Sequence, residues 1–162
     1  MPVSRRRVSS GLEAIDAFLG GGYPVGAITR VVSAADTQFQ AWDQGRRRLI
    51  NAALHDDERY AQYLRFPRTG QLLQAIHKRK PDLLVIDGWN ASAHDITSNI
   101  LRVSTALKQA RVALLMFDNR DNAIALRFWE RVRFQAHFEE AHFSMTCIKT
   151  VLNARQGHEL VF

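Results

Sequence analysis

Cysteine occurs once, at Cys147, so the chain of 162 residues has no internal disulfide. A lone thiol suits a reducing compartment, and its apolar–polar surroundings predict a buried structural side chain. Long apolar runs are also missing. No stretch approaches the roughly 18–20 uncharged residues that a membrane helix requires. None follows the basic residues of Met1–Arg7, so neither a membrane span nor a signal peptide is expected, and the cytoplasm is the expected location. There are four prolines and no Pro/Gly/Ser tract, repeat or low-complexity segment. One domain over residues 1–162 is therefore expected, with 1–7 as a flexible basic N-terminus. Paired cysteines, G-x-S-x-G and a Ser–His–Asp arrangement are absent too. Among the six histidines, His137 and His142 flank Phe138–Ala141, but no further ligand accompanies them. A solvated strand–turn–strand is expected there, and no metal or cofactor anywhere in the chain.

What is present suits a folded, basic protein. Hydrophobic residues make up 46% and charged ones 23%, the net charge is +6 and the pI about 10.1. Basic residues cluster at Arg5-Arg6-Arg7, Arg46-Arg47-Arg48 and Lys78-Arg79-Lys80, the last preceded by His77. They are candidate contacts for nucleic acid or an acidic partner, although a solvated surface is the simpler reading.

Hydrophobic spacing predicts a helix through Leu12, Ile15, Phe18 and Leu19, stopped by Gly20-Gly21-Gly22. A strand over Ala27–Ser33 precedes a helix from Phe39 to Arg48, and Leu49–Ala52 reads as a short strand. Thr69–Lys80 reads as a helix ended by Pro81, and Ile96–Ala110 as another. The continuous apolar runs Leu83–Ile86 and Val112–Phe117 have the length and texture of parallel strands buried on both faces. From Val132 onward the pattern predicts short antiparallel strands. The alternation points to an α/β fold with a mainly parallel sheet flanked by helices.

Several blocks, in order, resemble the ATPase core of the RecA family. Val8–Asp16 and Gly20–Val32 resemble the helix and strand entering its nucleotide loop. Leu49-Ile50-Asn51-Ala52-Ala53 followed by Asp57–Leu64 is similar to F-I-D-A-E and D-P-x-Y-A-x-x-L. Asp82–Asp87 resembles the Walker B strand, and Val112–Asn119 the strand after it. Ala123–Phe134 is similar to G-N-A-L-K-F-Y-A-S-V-R-L, and Thr150–Gly157 to a late family strand. The resemblance implies a RecA-like P-loop NTPase fold.

The nucleotide loop itself departs from the family. Where G-x-x-x-x-G-K-[ST] wraps phosphate and Mg²⁺, Ser33 and Gln38 stand at the glycines, Phe39 at the lysine and Gln40 at the hydroxyl. Ala53 aligns with the glutamate that orients the attacking water. Phosphoryl transfer depends on positioning and charge, so these replacements predict a pseudo-ATPase with no catalytic residue. Asp57 and Tyr60 match residues lying against adenine in the family, and Asp87 matches the Walker B carboxylate. All three are expected as vestiges, with Asp87 capping the following turn. Phe39 and Trp42 are expected to fill the vacated pocket. The family's mobile DNA-binding loops look trimmed after Asp87 and Asn119, and the segment that joins protomers into filaments has no counterpart before Val8.

Trp89 follows the strand-end Asp87, where open α/β sheets bind ligands, and partial exposure is expected. Trp129 fits core or interface equally and lies beside Arg127, Arg131 and Arg133; Trp and Arg dominate protein interfaces. The resemblance implies an accessory factor in DNA recombination, repair or damage response, acting on RecA, a polymerase or a similar protein by protein–protein contact. A small basic DNA-binding module and a non-hydrolysing nucleotide sensor are the alternatives.

Overall fold

The computed structural model describes residues 6–34, 37–55, 59–118, 124–139, 142–150 and 159–161. Strand β1 (Arg7–Val8) pairs antiparallel with β2 (Tyr23–Pro24) in a small separate sheet. Because Arg7 pairs with Pro24, and the Arg6 carbonyl accepts from Val25 N–H at 3.1 Å, residues 6 and 7 are part of the fold and not of a flexible arm. Arg5 lies outside the described residues. Between these strands, α1 (Glu13–Leu19) buries Ile15 and Leu19 and ends at Gly20, whose φ of 70° is the left-handed conformation that suits glycine.

The remaining strands form one seven-stranded sheet in the order β4-β5-β6-β3-β7-β8-β9. These are β3 (Ile28–Ser33), β4 (Ala61–Arg65), β5 (Leu83–Asp87), β6 (Ala113–Asp118), β7 (Glu130–Glu139), β8 (His142–Thr150) and β9 (Glu159–Val161). β4, β5, β6, β3 and β7 run parallel, whereas β8 and β9 are antiparallel additions. An α/β fold with a mostly parallel sheet is therefore present. The C-terminal region differs from the expected run of short antiparallel strands. β7 and β8 are 10 and 9 residues long, and β7 is parallel to β3. An apolar–polar alternation reveals a strand but not the direction of its partner. His137 pairs with Ser144, and His142 with Glu139.

Helices cover both faces. α1 and α2 (Phe39–Leu54) pack on one face with Val31, Val85, Leu115 and Phe134. α3 (Thr69–Gln74), α4 (Ala93–Ala110) and α5 (Ile124–Trp129) pack on the other with Ile28, Leu84, Ile86 and Met116. Buried Cys147 belongs to the first of these cores.

Two helices differ from their expected form. Leu49–Ala53 is not a strand: α2 runs unbroken to Leu54, burying Ala41, Trp42, Gly45, Leu49, Ile50 and Ala53 at helical spacing. Gly45 lies where any Cβ would enter the ring of Phe138, so the helix sits close on the sheet. α3 passes into a π turn over Ala75–Arg79, closed by Lys80 at φ 46°, before Pro81 prevents continuation.

Candidate functional site at the carboxyl edge of the sheet

β3 and β6 are neighbours, but β3 leads into α2 on one face and β6 into α5 on the other. Their carboxyl ends diverge, the arrangement that opens a crevice in α/β sheets. A cleft of about 620 Å³ lies there. Its walls include Phe39, Trp42 and Arg46 of α2, Phe66 after β4, Asp87 and Trp89 at the end of β5, and Met116, Phe117 and Asp118 of β6.

Asp87 sits inside this cleft, but its carboxylate is occupied. Arg46 Nη1 donates to Oδ1 at 2.6 Å and Oδ2 at 2.7 Å, and the Tyr63 hydroxyl donates to Oδ2 at 2.8 Å. Arg46 also pairs through Nη2 with Asp43, one turn earlier in α2. The Arg46 and Asp87 side chains are only 19% and 11% exposed. Burial alone would lower the Arg46 pKa, but the opposed carboxylates of Asp87 and Asp43 raise it. Burial and then the hydrogen bond to Asp87 push Tyr63 up to about 12. The expected cap of the following turn is not what the carboxylate forms; a guanidinium and a phenol hold it. Both of its oxygens are therefore engaged by donors of the chain itself.

The loop between β3 and α2 also turns inward where it is described. Ala34 N–H donates to the Ala136 carbonyl at 3.0 Å, and Thr37 N–H to the Ala34 carbonyl at 3.1 Å. Ser33 ends β3 with its hydroxyl on the Ala34 carbonyl, and Gln38 opens α2 without a side-chain cap. Phe39 and Gln40 follow, both exposed. Phe39 is 72% exposed at the cleft rim, so it does not fill the pocket. Trp42 does turn inward, stacked on Phe138 at 5.8 Å with an edge toward Phe117 at 6.4 Å.

The structure separates other residues that the sequence groups together. Tyr60 precedes β4 and Asp87 ends β5. Since Ala61 pairs with Leu83 and Arg65 with Asp87, the two lie at opposite ends of the strands, about 15 Å apart. Tyr60 thus stands away from the cleft, and Asp57 lies outside the described residues. Ala53 is near the far end of α2, beside an Ala52 carbonyl that a Cβ on Gly11 would strike. It does not mark a strand-end catalytic position. At the carboxyl end of β4 stand Arg65 and Phe66 instead.

Trp89 is buried, with Nε1 donating to Thr69 Oγ1 at 3.0 Å, and is not partly exposed. Arg127, Phe128 and Trp129 are exposed on α5, Phe128 at 80%, and Arg131 is exposed on β7. Arg133 points inward instead, with Nε 3.2 Å from Glu130. The Arg46–Arg48 run does not form a patch, because neighbouring helical residues diverge. Arg46 holds Asp87, Arg47 Nε reaches Asp43 at 3.1 Å, and Arg48 lies 5.5 Å from the Phe143 ring centroid. Arg6 is 3.8 Å from Asp82, Arg7 is in β1, and Lys78, Arg79 and Lys80 are exposed.

Some residues of the site carry no motif. Arg30, fully buried in β3, donates to Glu130 at 2.9 Å and to Asp118 at 3.4 Å. A bulge opposite Ile28–Thr29 inserts Arg131 and turns Glu130 onto the face of Ile28 and Arg30. The only signal for this pair was a charged residue inside an apolar strand. Phe66 holds a positive φ of 47°, strained for a bulky side chain, and packs close to Gly88. Among the described residues, no group of three or more His, Cys, Asp or Glu could hold a metal ion. No described helix is long and apolar enough to cross a membrane.

The chain matches no protein-family model, and no curated protein matches it significantly.

Proposed function

We propose that the chain is a catalytically inactive RecA-like protein of the cytoplasm. In this reading it binds a partner in DNA recombination, repair or damage response, such as RecA or a polymerase. The ordered blocks of resemblance support the family. The Arg46–Asp87–Tyr63 cluster carries the loss of catalysis, because an internal guanidinium occupies the carboxylate that would otherwise serve a metal.

Large exposed aromatics support a binding role. Phe39 and Phe66 line the cleft mouth, and Phe128 and Trp129 project from α5 beside Arg127 and Arg131. Aromatic and arginine side chains of this kind anchor protein interfaces. Among the described residues of the basic clusters, Lys78–Lys80 remains as an unpaired group, which gives the DNA-binding reading less support.

The test is affinity capture from nuclease-treated host lysate, with mass spectrometry of the retained proteins. The wild type should enrich a recombinase, a polymerase or another repair protein, and a Phe128→Ala/Trp129→Ala variant should lose it. Failure to enrich any such protein, or equal enrichment by the variant, would contradict the proposal.

A further inference from the structure

On the α3–α5 face, α3 with its π turn and α4 lie side by side and leave a groove of about 380 Å³. Its lining includes Leu73, Leu101 and Ala106, with His77 and Arg102 also bordering it. Leu101 is 59% exposed, an unusual position for a leucine on a packed helix.

The two stretches that form this groove carry charge of one sign. Neither 68–80 nor 96–111 contains an Asp or Glu. Lys78, Arg79, Lys80, Arg102, Lys108 and Arg111 are all exposed there. Two acids flank these stretches: Asp82 faces Arg6 at 3.8 Å and accepts from Tyr60 N–H at 3.0 Å, and Asp95 stands in the first turn of α4, at the end of that helix away from Lys108 and Arg111. Helix dipoles favour cations at helix C-termini, which explains Lys78–Lys80 and Lys108–Arg111. They do not explain Arg102 in mid-helix, which donates to the neutral Asn99 Oδ1 at 3.3 Å and has no acidic i,i+4 partner, or the open Leu101.

We propose that this groove docks an acidic, amphipathic segment of a protein partner. Apolar side chains of that segment rest on Leu73, Leu101 and Ala106, and its carboxylates face Arg102 and the cations at the helix ends. Leu101 to Gln109 covers about 12 Å, enough for about two turns of a bound helix. A nucleic acid fits less well, because the groove lining offers no Phe, Tyr or Trp for base stacking. The two helices also end there on carbonyls, whereas phosphate favours helix N-termini. This site does not depend on the role assigned to the carboxyl edge.

The test is fluorescence anisotropy of the full chain with three labelled probes. The first is a peptide of about 14 residues with Leu at i, i+3, i+4 and i+7 and Glu on its other face. The second has the same composition with the leucines dispersed around the helix, and the third is an oligothymidylate of about twenty nucleotides. The patterned peptide should bind in the micromolar range, at least about tenfold tighter than the dispersed one. Leu101→Glu and Arg102→Glu should each weaken it about tenfold without changing the melting temperature, since both side chains are exposed. Equal binding of the two peptides, no binding of the patterned one, or tighter binding of the oligothymidylate would each overturn the proposal.

Discussion

Arg46 and Asp87 form an ion pair across the cleft, with one guanidinium nitrogen 2.6 and 2.7 Å from the two carboxylate oxygens. Both side chains are mostly buried, so removing one leaves the other charge poorly solvated. Arg46→Ala should cost about 3 kcal/mol in urea unfolding and lower Tm by about 5–10 °C. Replacing both residues together, as Arg46→Met/Asp87→Leu, should recover most of that loss. If Arg46→Ala alone is neutral, the pair contributes nothing to stability.

Tyr63 connects the same cluster to alkaline pH. Its folded-state pKa, near 12, lies above its ordinary value of 10.0. The stability it contributes is therefore complete below about pH 10 and lost as pH rises toward about 12. Urea midpoints of the wild type should fall more steeply over that range than those of Tyr63→Phe. Tyr23, also raised by burial, contributes equally to both proteins and drops out of the comparison. Parallel curves would show that Tyr63 ionises as freely in the fold as outside it.

Arg30 holds the fully buried Glu130 side chain and bridges β3 to β6 and β7. Arg30→Ala should destabilise by about 3 kcal/mol in urea unfolding, because it removes the closer partner of the buried Glu130 and leaves it to Arg133. Arg30→Lys should fall between, since one ammonium cannot copy the planar fork that reaches both Glu130 and Asp118. A loss below about 1 kcal/mol for Arg30→Ala would mean that water replaces the guanidinium.

The sheet was legible in the sequence because its central strands are buried on both faces. Leu83–Ile86 and Val112–Phe117 read as uninterrupted apolar runs and form β5 and β6. Residues 49–53 show how a motif can mislead. Their likeness to a family strand suggested extended chain, yet Trp42, Leu49, Ile50 and Ala53 continue one helical stripe. The candidate site was legible only in part. Asp87 was placed at a strand end, where it stands, but its partner Arg46 lay within a run that read as surface charge. A guanidinium turned inward from a helix and one turned outward look the same in sequence. Nor does sequence show that a bulge aims Glu130 at Arg30, or that Tyr60 and Asp87 sit at opposite ends of paired strands.

Calorimetric titration of Mg·ATP into the purified protein, with phosphate release assayed on the same samples, tests most directly the proposal that the chain is catalytically inactive. No saturable heat at millimolar nucleotide and no released phosphate are expected. Saturable binding accompanied by phosphate release, with the release abolished by Asp87→Asn, would show that Asp87 still serves catalysis and would contradict the reading of an occupied site.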